Sequence, residues 1–178
     1  MANMTSGPTL RDLVTAYLEN QDREHLDRLR AAVVGSSTFD PDLNLLAAVT
    51  PHMEAGRHRE VVDVVTAKMP GAALNPMAHL ALSAAYEALG EEQAAKRESV
   101  MAKIAVSSVL TTGDGSEESP WSVLRVADEY DVMRAKGIAP VGQSAQSRDG
   151  RVVDRHETAD GPVWFVIDET ARPAPDAE

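Results

Sequence analysis

The pattern of apolar and polar positions divides the chain into a long helical part and a shorter part with strand signals. Up to about residue 110, apolar residues recur every three to four positions, as on one face of a helix. Leu26, Leu29 and Val33 form one such stripe. After Leu110 come short apolar or alternating runs separated by glycine-containing turns. The pattern therefore predicts an α+β protein that is mainly α.

In the helical part, the neighbourhoods of Gly56 and Gly90 can be superposed at an offset of 34 residues. Each glycine stands between two amphipathic segments, and glycine suits a helix end that requires a positive φ. Asp40-Pro41 and Asn75-Pro76 place a side-chain acceptor before a proline ahead of the two units, and this pairing predicts helix starts. Each unit is therefore predicted to be a helix hairpin.

A third, weaker copy precedes these two units, since Ala16-Tyr17 matches Ala85-Tyr86 about two periods later. Pro51 falls inside the first helix of the middle unit and is expected to kink or shorten that helix. In the last unit, the predicted apolar face of the first helix comprises Met77, Leu80, Ala81, Ala84 and Leu89.

Tyr86, Gly90 and Ala95 occupy places where the tetratricopeptide repeat family has its signature residues. The chain resembles that family over roughly residues 8–110, although His79 and Ser83 replace its usual Trp and Gly. The resemblance implies stacked helix hairpins with a concave face that holds an extended peptide or a partner helix.

The second part predicts a β-α-β-β-β unit at residues 111–168, docked on the last repeat helix. Its turn signals are Gly113 to Ser116 and Asp149-Gly150, the second being a hairpin signal. The predicted elements are strand Trp121–Val126, helix Asp128–Lys136, and strands Val141–Gln146, Arg151–His156 and Val163–Ile167. Residues 1–7 are predicted to be flexible, and the Pro/Ala-rich tail 169–178 is predicted to be disordered.

The order of several residues in this part is similar to an uncharacterised bacterial domain-of-unknown-function family, over roughly residues 75–168. The series comprises Gly113, Gly115, Trp121, Glu129-Tyr130, Gly142-Gln143, Asp149-Gly150, Asp154 and a closing Trp-Phe-x-Ile-Asp strand. As a family it joins helical-repeat-like helices to such a module, and the resemblance implies no activity. Within the pattern, the candidate polar or partner-binding residues are Tyr130, Gln143, Asp149 and Asp154. Arg57 and His58, in a charged turn, are further candidate partner contacts.

Charge limits the classes of partner. The net charge is −11, and residues 111–178 hold seven Lys/Arg against 14 Asp/Glu. Such a surface repels nucleic acid and anionic lipid but attracts a basic protein or peptide. The sequence is also compatible with a homo-oligomer. There is no cysteine, and neither a signal peptide nor a membrane span is predicted, which favours a cytoplasmic protein.

Little in the sequence indicates catalysis or a cofactor. The Gly113 to Ser116 turn could cradle a phosphate, but no Lys follows it, and Asp114, Glu117 and Glu118 would repel an anion. The five histidines show no metal-ligand spacing. The sequence therefore predicts no cofactor, no metal and no catalytic residue.

The preferred hypothesis is a non-enzymatic protein-binding or adaptor module, in which a helical-repeat scaffold carries an acidic β unit. One alternative is an immunity-type neutraliser of a basic toxin, acting through acidic residues of 111–178. Another is a hydrolase or transferase with a site between repeats and sheet, at Tyr130, Gln143, Asp149 or Asp154.

Overall fold

A computed structural model describes residues 7–148 and 150–168. Over these residues the helices are α1 (Leu10–Glu19), α2 (Arg23–Val34), α3 (Leu45–Glu54), α4 (His58–Thr66), α5 (Pro76–Ala88), α6 (Glu92–Leu110) and α7 (Val126–Ala135). The strands are β1 (Trp121–Val123), β2 (Pro140–Arg148), β3 (Arg151–Thr158) and β4 (Val163–Ile167). The predicted α+β class, mainly α, is confirmed.

The hairpins α3–α4 and α5–α6 have matching turns and share one core. Gly56 and Gly90 adopt φ of 68° and 75° after the first helix of each hairpin. The next residue closes each turn on the helix, Arg57 N on His52 O at 2.9 Å and Glu91 N on Tyr86 O at 2.8 Å. The shared core comprises Leu45, Val49, Val61, Val65, Ala78, Ala81, Leu82 and Ala85.

One of the two predicted helix starts is confirmed and the other is wrong. The Asn75 side chain accepts from Ala78 N at 2.7 Å, and α5 begins at Pro76. Asn44 rather than Asp40 caps α3, while the Asp40 carboxylate accepts from Asp42 N within a turn. The middle unit therefore starts later than its proline suggests. Its first helix has ten residues, including Pro51, against 13 in α5, as expected for a shortened helix.

The buried face of α5 is rotated from the predicted one. Leu80 is 40% exposed and Ala84 is exposed, whereas Ala78, Leu82 and Ala85 are buried. The rotation follows from α5 packing against α3, α4, α6 and α7 rather than against a single neighbouring helix.

The hairpin α1–α2 packs against α6 and the β unit. Its buried side chains, Tyr17, Leu26, Leu29 and Val33, share a core with Ala73, Leu74 and Leu124 and contact Ile104 of α6. This arrangement differs from a simple series in which each hairpin packs on the next. The first hairpin instead covers a side of the helical part where the β unit begins.

The sheet has the order β1-β4-β3-β2, with β1 parallel to β4 and the other pairs antiparallel. Val132 and Met133 of α7 pack with Val123 and Phe165 of the sheet. The predicted β-α-β-β-β order is confirmed, but the first boundary is wrong. The strand stops at Val123 and the helix starts at Val126, two residues before the predicted Asp128.

Two buried arginines join the β unit to the helices. Arg30 of α2 donates to Asp168 Oδ2 at 2.8 Å, Ser122 O at 2.8 Å and Ser108 O at 3.1 Å. Arg125, at the start of α7, donates to Asp40 O at 2.7 Å and Gly71 O at 2.5 Å. Because a guanidinium offers five donors in a rigid plane, each arginine can fix several backbone segments at once.

Gly71 provides a test of the close approach on which the Arg125 contact depends. A Cβ built there would lie 2.4 Å from the Thr38 carbonyl carbon and 2.5 Å from Phe39 N. We expect Gly71→Ala to lower the free energy of unfolding by about 1–3 kcal/mol, as for overpacking. The measurement is urea denaturation. Gly137→Ala is the control, because its site has a positive φ but open space, so about 1 kcal/mol is expected. Equal losses in the two variants would contradict the packing argument.

Candidate functional site

The side chains of Glu129, Asp154 and His156, named the acid–base cluster below, lie between α7 and β3. Glu129 Oε2 is 2.7 Å from His156 Nε2, and both residues have no exposed surface. Asp154 and His156 are two residues apart in a strand and so lie on one face of the sheet, the face that α7 covers. Glu129 is in the first turn of α7, where the helix dipole favours an acidic side chain.

Aromatic rings enclose the cluster. The rings of Tyr130 and Phe165 meet the His156 imidazole edge to face, at centroid distances of 5.1 Å and 5.6 Å. Within the described residues, Glu129 Oε1 and His156 Nδ1 are buried without a hydrogen-bond partner. Such a site favours the uncharged form of a carboxyl group.

Burial raises the pKa of Glu129 to about 7, and the nearby Asp154 charge adds to this, while the His156 contact opposes it. The pKa of Tyr130 is raised for the same main reason, burial, with the charges of Glu129 and Asp154 adding to it. A change of pH around neutrality therefore changes the charge inside this part of the protein.

The structure brings three of the four predicted polar residues together at the edge of the cluster. The Tyr130 hydroxyl donates to Gln143 Oε1, and Gln143 Nε2 donates to Asp154 Oδ1 at 3.4 Å. The fourth, Asp149, lies outside the described residues. Glu129 and His156 were not among the predicted site residues. The spacing of Asp154 and His156 on one strand face was the signal that could have pointed to the histidine.

The acid–base cluster is closed to a substrate in this structure. Glu129 and His156 have no solvent contact, and Tyr130 is half-buried. Several grooves in the described part of the chain, with volumes of about 220 to 510 Å³, are lined by other residues. In the described ranges, no group of three or more His, Asp or Glu side chains, this cluster included, has an arrangement that could hold a metal ion.

A second acidic group on α7 holds the helix to α5. Asn75 Nδ2 donates to Asp128 Oδ1 at 2.7 Å and to Asp131 Oδ2 at 3.1 Å. Burial raises the pKa of Asp131 to about 6, with the charge of Asp128 adding to it, and burial also raises the pKa of Asp128. Arg125 and Arg134 lie beside these carboxyl groups at 3.6 Å and 3.0 Å. The group is a packing contact between helices.

The most exposed element beside the cluster is β2. It is outermost in the sheet that the described residues form, and the side chains from Val141 to Arg148 are exposed, with Val141 at 81%. Residues 141–147 carry no charge. Arg148 at the end of the strand pairs with Glu117, and the register with β3 shifts between Pro140 and Gly142.

The other predicted contacts lie elsewhere. Arg57 and His58 are at the turn between α3 and α4, where Arg57 Nε is 3.0 Å from Glu60 Oε2 and Arg57 Nη2 is 3.3 Å from His52 Nδ1. His58 is half-buried as the first residue of α4. The structure therefore does not bring this pair into the Tyr130 group.

The glycine turn before β1 is a packing element. The amides of Asp114 and Gly115 both donate to Ser119 O at 3.0 Å, so they are occupied within the loop. Gly115 has a φ of 79° and lies against the Trp121 ring. A Cβ at this position would come within 2.8 Å of the ring, so only glycine fits without a shift. Trp121 Nε1 donates to Gly113 O at 3.1 Å. These bonds use the amides that a phosphate would need.

Comparisons with known proteins give no match: no family model, no curated protein and no solved structure is similar to this chain. In the described part of the chain, no helix is both long and apolar enough to span a bilayer.

Proposed function

We propose that this protein is a non-enzymatic protein-binding module that takes up an extended segment of a partner as an added strand beside β2. The observation that carries the proposal is the outer position of β2 together with its exposed, uncharged centre. Sheet edges are usually protected by charge, proline or bulges. Here Pro140, the register shift and Arg148 protect the ends of the strand, and residues 141–147 are left open.

The register identifies the backbone groups that would bind. Arg148 pairs with Arg151 across two intervening residues, so this pair is of the hydrogen-bonded kind. Hydrogen-bonded and non-hydrogen-bonded pairs alternate along an antiparallel ladder. Ser144 and Gln146 therefore point their backbone groups towards β3, whereas Gln143, Ala145 and Ser147 point theirs to the open edge. An added strand would pair with these three residues.

Charge supports a basic segment of a different protein as the occupant. The net charge of −11 attracts a basic partner over a distance and opposes the approach of a second copy. At the edge itself, the uncharged centre of β2 requires no charge to be desolvated. Arg148 and Arg155 nearby are paired with Glu117 and Glu157. A cytoplasmic location is part of the proposal and is supported by the absence of cysteine.

The alternatives receive less support. Neutralisation of a basic toxin is a narrower form of the same binding, through acidic side chains of residues 111–178, and it would be strongly weakened by salt. A hydrolase or transferase at Tyr130, Gln143, Asp149 or Asp154 would need a substrate to reach titratable groups, whereas Asp154 is buried and Tyr130 is half-buried.

The proposal is tested with a random nonapeptide display library selected on the wild-type protein. We expect selected peptides to alternate β-branched or aromatic residues with Lys or Arg. Ala145→Pro should weaken their binding about tenfold or more, because it removes an outward N–H and places a ring at the edge. Ala145→Val is the matched control, since it keeps the N–H and favours the strand, and it should bind as the wild type does.

Three results would overturn the proposal. Selected peptides could bind Ala145→Pro as tightly as they bind Ala145→Val. Amide shifts on binding of a selected peptide could fall on the helix hairpins instead of β2. The wild type could also self-associate in sedimentation through an edge that Ala145→Pro blocks, which would make a second copy the occupant.

A further inference from the structure

Gln143 connects the open edge of β2 to the buried acid–base cluster. Its side chain accepts from the Tyr130 hydroxyl of α7 and donates to Asp154 of β3. It also follows directly after the register shift between Pro140 and Gly142. A polar strand of small residues has a weakly specified register. The side-chain contacts of Gln143 therefore fix the position of β2 here more firmly than its backbone hydrogen bonds do.

We propose that Gln143 is a proton-controlled latch, which holds the first half of β2 in place while Glu129 is protonated and releases it when Glu129 ionises. The effect of the latch on binding rests on the proposed function, because the latched segment belongs to the edge that would receive a partner strand. Its test uses the free protein and needs no partner.

The physical basis is the crowding of two carboxyl groups in a closed site. A neutral Glu129 can lie beside the Asp154 carboxylate, whereas two carboxylates at this place repel each other and lack water. Asp154 is at the edge of the cluster and can relieve the repulsion by moving outwards. That movement breaks its contact with Gln143. Because burial places the pKa of Glu129 at about 7, the change falls in the neutral range.

The charged and titratable groups that act on Glu129 are few. From β3, His156 contacts it and Asp154 adds a like charge, and Tyr130 stands next to it on α7. Asp128 and Asp131 of the same helix are held by Asn75, which caps α5, and by Arg125 and Arg134. They form a separate group, so their titration does not act through Gln143.

The other end of β2 is tied in a different way. Arg148 pairs with Glu117, an exposed contact that does not involve the cluster. Release of Gln143 should therefore loosen residues 141–144 and leave the end near Arg148 in place. A latch therefore predicts that only the first half of β2 loses protection, whereas a general loss of stability would affect both halves of the strand.

The experiment is amide hydrogen exchange of the free protein at pH 6 and pH 8, corrected for intrinsic rates and read by NMR. In the wild type we expect the protection of Ser144 to fall at least fivefold between these pH values relative to that of Gln146. In Glu129→Gln the ratio of Ser144 to Gln146 protection should be the same at pH 6 and pH 8. In Gln143→Ala this ratio should be low at both pH values. Gln146→Ala is the matched control, because its side chain lies on the opposite face of the strand, and it should behave as the wild type does.

A ratio that is constant with pH in the wild type, or one that falls equally in Glu129→Gln, would overturn the latch. If Glu129→Gln does not fold, Gln143→Ala decides, because it changes an exposed residue. A selected peptide that binds equally at pH 6 and pH 8, yet remains sensitive to Ala145→Pro, would support strand addition and contradict the latch. A failure of strand addition leaves the exchange measurement unaffected.

Discussion

Arg125→Ala is expected to lower the free energy of unfolding by about 3–5 kcal/mol, because it leaves buried groups without their partner. Arg125 is 1% exposed and donates to the backbone oxygens of Asp40 and Gly71. Its guanidinium also lies 4.4 Å from the centre of the Phe39 ring and beside Asp128. Removal of the side chain opens a cavity and leaves the Asp128 carboxylate without its cation.

Two probes measure the effect in urea. Both tryptophans, Trp121 and Trp164, lie in the β unit, so their fluorescence reports on this unit, while far-ultraviolet circular dichroism reports mainly on the helices. In Arg125→Ala the fluorescence transition should come at lower urea than the helical one. Arg134→Ala is the control, because this arginine is half-exposed and its buried partner Asp131 keeps the hydrogen bond from Asn75, so the change should cost less than about 1 kcal/mol. Equal losses in the two variants would contradict the central role of Arg125.

The second large effect concerns pH. The pKa of Glu129 is about 7 in the folded protein against an ordinary 4.5, so the folded state holds a proton that the unfolded chain has released. The free energy of unfolding should therefore decrease as the pH rises from about 4.5 to about 7, and then level off. By the size of the pKa shift, the decrease due to Glu129 is at most about 3 kcal/mol.

Glu129→Gln should remove the whole of this contribution, which lies between about pH 4.5 and pH 7. The variant is expected to match the wild type below about pH 4.5 and to be more stable at pH 8, as measured by urea denaturation across this range. Asp131, whose pKa is raised to about 6, gives a slope of the same sign at lower pH in both proteins. If the variant were less stable than the wild type at pH 8, the contact of Glu129 with His156 would outweigh the burial of the carboxylate.

Local patterns in the sequence predicted the elements well. The glycines at positions 56 and 90 mark helix ends, the proline after Asn75 marks a helix start, and the hairpin signal marks the turn between Arg148 and Arg151. Each of these signals is a matter of backbone conformation within a few residues. The sequence is therefore sufficient for them.

The acid–base cluster was only partly predictable, because it depends on where α7 lies on the sheet. Tyr130, Gln143 and Asp154 were candidates, and they do meet. Glu129 and His156 are 27 residues apart, and no local pattern joins them. A search for histidines at helical spacings overlooks a histidine on a strand. The exposure of Leu80 has the same kind of cause, since the orientation of α5 is decided by four neighbouring helices.

The order of strands in the sheet has a consequence for synthesis on the ribosome. Among the strands that the structure describes, β4 is the last to be made, yet it lies between β1 and β3. Until it emerges, β1 has no neighbour in the sheet and the β2–β3 hairpin has two open edges. The helical part, made first, can already offer the surface that carries Arg30. A nascent chain arrested before Val163 would therefore carry a folded set of helices and an unfinished sheet, a state prone to aggregation and a target for chaperones.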